Sequence, residues 1–221
     1  MRILLSVLLL ILCATTAQAQ VAVAAPGYLA SVPDSGRIAF RVVREEADIG
    51  THVLTFRRDG GKLIVDIAVD LKVTAFGYVI YTYRHRGTEI WRDNRIVSVK
   101  TETDDNGTKL SVVAISGESG INVEAGGKQK VLPANYMPSS HWNPAWLSAG
   151  GLLNTATGEP VQPKVAGPTS EKITTARDQV EAARYTISSP RQAEIWFDTA
   201  GRWIKAKFVA ADGSLIEYIL Q

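Results

Sequence analysis

The side chains best suited to metal binding or proton transfer are the three histidines, His52, His85 and His141. Zinc sites usually draw three or four ligands from histidine, cysteine and carboxylate side chains. No two of these histidines have the i, i+4 spacing that would place both on one face of a helix. His85 and Glu89 could meet across a turn at 86–88, but hydrogen bonding within the fold is the ordinary use of such a pair. We therefore expect neither a metal site nor a cofactor.

A second candidate chemistry is acyl transfer at the run Ser139, Ser140 and His141. In hydrolases of this kind an imidazole deprotonates a hydroxyl, and a third group orients the ring. Neighbouring positions in a sequence do not supply that geometry, and the Gly-x-Ser-x-Gly nucleophile turn is absent. A hydrolase that uses His141 stays open as an alternative, but the sequence favours a protein that is not an enzyme.

Acidic residues and tryptophans occur together in two segments, and the residues concerned are Glu89, Trp91, Asp93, Glu194, Trp196 and Asp198. Paired carboxylates among aromatic rings are what glycoside hydrolysis uses. Acidic residues at strand ends and turns are ordinary, so this pattern alone does not predict a glycosidase. The glycines recur at turns and never form a phosphate-cradling loop before a helix, which argues against nucleotide binding.

These side chains must be positioned by β-strands, and the clearest strand runs from Lys62 to Val73. Every second residue of it is Leu, Ile or Val, and most of the intervening residues are charged. Successive side chains of a strand point to opposite faces, so this strand has one apolar and one polar face. Because one strand is not stable alone, neighbouring strands must bury the apolar face. The sequence thus predicts a large antiparallel sheet.

Similar alternation predicts strands on both sides of that segment. In the first half they lie at 37–44, 51–58, 77–86, 89–92, 95–103 and 109–115, and further short strands follow, divided by Gly117, Gly120 and Gly126-Gly127. In the second half they lie at 180–188, 192–197, 202–210 and 214–220. The turn residues between them, such as Asp-Gly-Gly, are typical of tight hairpins. We expect one all-β domain over 36–221, a curved antiparallel meander in the form of a half-barrel or open barrel with little helix.

The segment 132–168 breaks this pattern, because the alternation fails and six prolines accumulate. Proline lacks a backbone N–H group and is disfavoured inside sheets. We therefore expect a long Pro-rich loop, with a helical turn near 145–149. Its large apolar residues, Trp142 and Trp146 among them, predict an ordered lid packed on the sheet, since disordered linkers carry few such side chains.

Residues 1–19 have the three-part layout of a secretory signal peptide: an early basic residue, an apolar core and the ending Ala17-Gln18-Ala19. The apolar core is shorter than the roughly 20 residues that a membrane-spanning helix needs. We expect cleavage after Ala19, a loose leader over 20–35, and a periplasmic or secreted protein. Cys13 lies in the removed segment, so the mature chain has no cysteine for disulfide or thiol chemistry.

The charge of the whole chain is close to neutral, with a formal value of +2 at pH 7. Nucleic-acid binding needs a clustered basic face, so we expect no nucleic-acid partner. No second long apolar run follows the signal, and we therefore predict no membrane span after cleavage.

Nine short segments carry a family resemblance: Phe40-Arg41-Val42, Ile49-Gly50-Thr51-His52, Tyr81-Thr82-Tyr83-Arg84-His85, Glu89-Ile90-Trp91-Arg92-Asp93, His141-Trp142-Asn143, Leu153-Asn154-Thr155-Ala156-Thr157-Gly158, Ile195-Trp196-Phe197-Asp198, Asp212-Gly213 and Glu217-Tyr218. Together they resemble the exported bacterial family known as domain of unknown function 6134. The resemblance covers nearly the whole mature chain and implies no activity, because that family has none assigned. More loosely, the layout is similar to envelope proteins with a half-open sheet around an apolar hollow, including lipoprotein carriers.

The large aromatic residues have two candidate uses. In one, they fill the core, which is the usual place of such rings. In the other, the curved sheet leaves an apolar hollow below the lid, of the kind that binds small apolar ligands. The residues that we expect to line it are Val65, Ile67, Val69, Tyr81, Tyr83, Trp91, Trp142 and Trp146.

The sequence therefore favours a non-enzymatic exported protein that binds a lipid-like or other apolar ligand, or an apolar segment of an envelope protein. The first alternative is a structural or interaction module whose interior is filled by its own side chains. The second is the hydrolase that uses His141.

Overall fold

A computed structural model describes residues 28–175, 178–189 and 191–221. The predicted signal peptide and the first part of the predicted leader lie outside these residues. Residues 28–35 form turns, and Tyr28 and Val32 pack against the core. This part of the chain is therefore more ordered than the loose leader that the sequence predicts.

The described residues form sixteen strands and one short 3₁₀ helix. The first eight strands are β1 (Arg37–Arg44), β2 (Ala47–Asp59), β3 (Lys62–Ala75), β4 (Tyr78–Arg92), β5 (Arg95–Asp105), β6 (Thr108–Gly117), β7 (Gly120–Ala125) and β8 (Lys128–Leu132). Next come β9 (Tyr136–Pro138), the 3₁₀ helix (Pro144–Ser148), β10 (Gly151–Leu153) and β11 (Pro160–Val161). The last five are β12 (Val165–Thr174), β13 (Gln179–Ile187), β14 (Ala193–Asp198), β15 (Trp203–Val209) and β16 (Leu215–Leu220).

Thirteen strands form a single antiparallel sheet in the order β12-β13-β14-β15-β16-β1-β2-β3-β4-β5-β6-β7-β8. Neighbours along the chain pair as hairpins, and the last strand, β16, pairs with the first, β1, with Phe40 opposite Leu220. The edges are β12 and β8, which do not pair with each other, so the sheet is not closed. The predicted all-β fold with one large antiparallel sheet is confirmed.

Local turn chemistry explains the hairpins. The β2–β3 turn has Gly60 and Gly61 at φ of 52° and 77°, and the β5–β6 turn has Asn106 and Gly107 at 51° and 92°. Two successive residues in the left-handed region give the turn whose twist matches that of paired strands, and glycine and asparagine tolerate this region best.

Two strands differ from the sequence prediction. β4 is one strand of 15 residues, whereas the sequence predicts separate strands at 77–86 and 89–92. Gly87 continues the strand in between because it pairs with Ile67 on one side and Thr101 on the other. A larger residue would be crowded there, since an added Cβ would lie only 3.0 Å from Thr101 Cγ2. β12 was not predicted, because most of its side chains are exposed and it shows no apolar alternation.

The Pro-rich segment has regular structure of its own. β9, β10 and β11 form a small three-stranded sheet, and the 3₁₀ helix at Pro144–Ser148 confirms the predicted helical turn. The apolar side chains of this segment belong to the main hydrophobic core, as Trp142 and Leu153, exposed by 0% and 2%, illustrate. We call residues 133–163 the plug, because they fill part of the interior of the large sheet. In the described ranges, no helix is long and apolar enough to span a bilayer.

Candidate functional site

The contact between the plug and the large sheet centres on Trp142. Its ring meets Trp91 edge-on at a centroid distance of 5.3 Å and Phe56 at 5.2 Å. The indole Nε1 of Trp142 donates a hydrogen bond of 3.0 Å to Glu89 Oε2, and Trp91 Nε1 donates one of 2.9 Å to the same oxygen. A single carboxyl group thus holds one tryptophan of the sheet and one of the plug.

Glu89 is fully buried, with an exposed fraction of 0%. Burial raises the pKa of its carboxyl group, and the hydrogen bonds with Trp142, Ser140 and Trp91 offset only part of this rise. A buried carboxyl group between two indoles is held for structure and is closed to a substrate. Glu194 and Asp198, which share the glycosidase-like pattern, make ion pairs with Arg184 and Arg202 instead.

Polar contacts fix the plug at further points. Thr101 Oγ1 donates a 2.5 Å hydrogen bond to the Thr155 carbonyl, and Asn143 Nδ2 donates one of 2.9 Å to Asn94 Oδ1. Hydrogen bonds from several neighbouring strands secure the segment along its length. The Pro-rich segment is therefore a built-in part of the interior and does not cover an empty hollow.

His52 lies inside the large sheet among aromatic rings. Its ring centroid is 6.3 Å from that of Phe40, 5.5 Å from Trp203 and 5.6 Å from Tyr218. Among the residues that the structure describes, neither ring nitrogen has a hydrogen-bond partner. Burial, together with the nearby His85 and His141, lowers the pKa of His52 to about 3. This histidine is neutral at physiological pH.

The other two histidines are also neutral, and of these His85 is buried whereas His141 is partly buried. His85 Nδ1 lies 2.8 Å from Thr103 Oγ1, and the ring of His141 packs against Trp146 at 5.1 Å. Burial lowers the pKa of each imidazole to about 4, assisted at His85 by the charge of Arg86. Within the described ranges, no cluster of three or more His, Cys, Asp or Glu side chains is arranged to hold a metal ion.

The serines beside His141 do not form a nucleophile–base pair with it. The Ser139 hydroxyl accepts a 3.1 Å hydrogen bond from the Thr155 backbone N–H group, and Ser140 lies near Glu89, whose pKa it lowers. His141 Nδ1 has no partner in the part of the chain that the structure describes. The arrangement needed for acyl transfer, with a hydroxyl on the imidazole, is therefore not present in this geometry.

A cavity of about 670 Å³ opens at the opposite end of the interior, where β1, β3, β5 and β15 end. Its wall is aliphatic and aromatic, and consists of Ile49, Leu71, Val73, Ile80, Phe208 and Ile216. Three of these wall residues, Ile49, Val73 and Ile216, form a small hydrophobic core together with Val42. The cavity is thus framed by packed strands from both halves of the sheet.

Phenol groups line the inner part of this cavity. Burial raises the pKa of Tyr83 to about 12, and it also raises the pKa of Tyr81 and Tyr218 above the ordinary value. Tyr81 Oη donates a 2.7 Å hydrogen bond to Asp105 Oδ1. All three tyrosines are neutral at physiological pH and present hydroxyl groups next to an apolar wall.

Two arginines stand at the rim. Arg44 is occupied, since its Nη2 lies 2.6 Å from Asp212 Oδ2 and its Nε donates to Ser214 Oγ at 2.9 Å. Arg191 also lines the cavity, where its charge acts on Tyr81. Arg191 makes no ion pair with any residue in the described ranges, so this rim carries one free cation.

A second depression, of about 370 Å³, lies on the outer face of the sheet between β2 and β5. Charged side chains border it, among them Asp66, Arg86 and Lys100. A groove of this kind is ordinary strand surface and does not resemble an apolar ligand site.

The eight residues that the sequence predicts for ligand binding divide between these regions. Six are at most 6% exposed and belong to the core, namely Val65, Ile67, Val69, Trp91, Trp142 and Trp146. Tyr81 and Tyr83 instead line the open cavity. The cavity residues that the sequence analysis missed include Leu71, Phe208 and Tyr218. Alternation identifies each of them as one face of a strand, but only the pairing of β16 with β1 brings them together.

Comparison with solved structures identifies a similar fold. The chain is similar to a β-barrel-like protein of domain of unknown function DUF1849 from Brucella abortus, with 12% sequence identity and a TM-score of 0.59. The match covers 84% of this chain and 94% of that chain, and at this identity it concerns the fold alone. No curated protein matches the sequence. A family profile, however, matches residues 40–221, and the chain therefore belongs to the family described as Domain of unknown function (DUF6134).

Proposed function

We propose that this protein binds a lipid-like molecule in the open cavity and performs no catalysis. The observation that carries the proposal is a cavity of about 670 Å³ with an apolar wall, set in a rigid frame of paired strands. Pockets for small apolar ligands have volumes of about 300–1,000 Å³ and contain few polar groups. Each methylene group of an acyl chain that enters such a wall contributes about 0.8 kcal/mol.

The polar groups of the cavity specify the head of the ligand. Tyr83 and Tyr218 line the cavity, and Arg191, which has no ion-pair partner among the described residues, lies at its rim. Neutral phenols donate hydrogen bonds, and a guanidinium group favours a carboxylate or phosphate. The ligand that fits is an apolar chain with an anionic head.

We also propose that the protein is exported to the periplasm. The support is the signal-peptide pattern of residues 1–19. The mass of the protein isolated from cells tests this, since cleavage after Ala19 leaves a chain that begins at Gln20. An intact N-terminus in the isolated protein would contradict it.

Two neighbouring substitutions test the ligand site. Ala210 lines the cavity, whereas the adjacent Val209 points to the other face of the strand and is 37% exposed. We expect Ala210→Trp to fill the cavity and to weaken the binding of a fluorescent fatty acid by about tenfold or more, whereas Val209→Trp retains binding. Native mass spectrometry of the gently purified protein should show a bound lipid that Ala210→Trp lacks. Equal binding by both variants, or no binding by the unaltered protein, would refute the proposal.

A further inference from the structure

The hairpin of β3 and β4 extends beyond the strands on either side. β2 pairs with β3 only as far as Leu71, opposite Gly50, and β5 pairs with β4 only from Tyr83, opposite Asp105. Residues 72–82 therefore form a two-stranded ribbon, which we call the β3–β4 tip. A ribbon of two strands is marginally stable in water without a surface to pack against.

The β3–β4 tip exposes four large apolar side chains close together. The exposed fractions are 99% for Phe76, 77% for Tyr78, 55% for Val79 and 54% for Ile80. Exposed apolar residues are ordinary when they are scattered singly, but a contiguous group of them marks a contact surface.

The backbone at Phe76 shows that the fold does not require this residue. Phe76 and Gly77 form the turn, with φ of 51° and 81°. A bulky side chain in the left-handed region is uncommon and strained, and the equivalent turn of β5 and β6 uses Asn106 and Gly107. Phe76 is therefore not stabilised by burial, and its backbone conformation is strained. We infer that this side chain serves a contact outside the chain.

The charges around the tip identify the contact. Within the tip itself, residues 72–82, the chain has no acidic residue and one basic residue, Lys72. The carboxylates nearest to it, Asp48, Asp70 and Asp104, lie at the base of the tip, where Asp104 is paired with Lys109. Arg84 and Arg86 pair with Asp70, whereas Lys72 makes no ion pair with any residue of the described ranges. Exposed aromatic side chains beside a free cation match the chemistry of an anionic lipid surface.

We propose that the β3–β4 tip docks on an anionic lipid bilayer, with Phe76 and Tyr78 in the headgroup region. A protein partner fits less well, because a stable protein interface needs about 800 Å² per partner and the end of a two-residue turn offers far less. Shallow insertion of a few aromatic side chains needs no such area. Ile80 and Tyr81 belong both to the tip and to the cavity, so docking places the cavity mouth at the bilayer.

Vesicle flotation tests this proposal. The full-length mature protein should bind vesicles of phosphatidylglycerol and phosphatidylethanolamine, and Phe76→Asn should weaken this binding by about tenfold. Asparagine tolerates the left-handed region, so this variant keeps the turn. Val79 in the tip and Val131 outside it form a matched pair, because they are 55% and 54% exposed and differ mainly in where they lie. Val79→Thr should weaken binding, and Val131→Thr should not.

The contribution of the Lys72 charge to vesicle binding is tested separately. Lys72→Gln should weaken binding to the anionic vesicles about fivefold and leave any residual binding to phosphatidylcholine vesicles unchanged. A protein that stays free in the presence of the anionic vesicles overturns the proposal, and so does equal binding of Phe76→Asn and the unaltered protein.

The proposal stands apart from the proposed ligand site, and two variants separate them. Ala210→Trp should lose the fluorescent fatty acid and keep vesicle binding, whereas Phe76→Asn should lose vesicle binding and keep the fatty acid. A Trp introduced by Tyr78→Trp should also shift its emission to shorter wavelength on the anionic vesicles. This signal is readable because all five natural tryptophans are at most 3% exposed.

Discussion

The two ends of the interior are built from the same strands but differ in what lies against them. Along β4, Glu89 and Trp91 face the plug and are 0% and 1% exposed, whereas Tyr81 and Tyr83 face the open cavity and are only partly buried. The alternation of side chains is the same throughout this strand. It therefore determines which residues point inward, but not whether protein or solvent meets them there.

The largest expected difference between the two ends concerns stability. Trp142→Ala should lower the free energy of unfolding by about 3–5 kcal/mol, because it empties a fully buried site. It also leaves Glu89 with fewer hydrogen-bond donors. Phe208→Ala, at the cavity wall, should cost less than about 2 kcal/mol, since that ring is only partly buried.

Urea unfolding followed by circular dichroism measures both variants. Comparable losses for Trp142→Ala and Phe208→Ala would mean that the plug end is no more tightly packed than the cavity end, and the contrast between the ends would fail.

The pH dependence of stability should reflect the histidines. Their pKa values in the folded protein are about 3 for His52 and about 4 for His85 and His141. In the unfolded chain they titrate near about 6.5, so the unfolded state takes up protons first. Stability is then fully present above about pH 6.5 and is lost as the pH falls towards 4, by about 1.4 kcal/mol per pH unit for each histidine.

His52→Phe sharpens this prediction. Neither ring nitrogen of His52 has a partner among the described residues, so phenylalanine loses no hydrogen bond there. Unfolding free energies measured at pH 7.5, 6 and 5 should fall less steeply for His52→Phe than for the unaltered protein. Parallel slopes would show that His52 does not titrate with folding.

An effect of opposite sign is expected at Glu89. Its pKa is raised in the folded protein, so the unfolded state releases a proton first as the pH rises above about 4.5. Glu89→Gln removes the ionisable carboxyl group and keeps an oxygen that accepts hydrogen bonds from Trp91 and Trp142. The variant should match the unaltered protein near pH 4 and become the more stable of the two as the pH rises. A difference that does not change with pH would rule out the buried carboxyl as its source.

The sequence predicted those parts of the fold that depend on local patterns. The alternation in β3 and the Gly60-Gly61 turn specify a hairpin without reference to the rest of the chain. β12 escaped prediction because an exposed edge strand has no apolar face to reveal it. The same reasoning identified Tyr81 and Tyr83 as inward-facing residues at the start of β4.

The remainder of the site depends on contacts between distant residues. Trp142 and Glu89 are 53 positions apart, and nothing in either segment indicates that one donates to the other. Alternation alone could not distinguish the six core residues of the predicted ligand set from true cavity residues. The distinction requires knowing where the plug lies, and the position of the plug cannot be predicted because its sequence has no periodicity.

The seam between β1 and β16 has a consequence for assembly. Arg44 and Ser214, which are hydrogen-bonded across it, are 170 residues apart in the chain. Each half of the sheet can form through successive short hairpins. The two halves join only when a very long loop closes, which is a slow event for an unfolded chain. Until then the cavity has only half of its wall, so the ligand binding that we propose should become possible only in the last stage of folding.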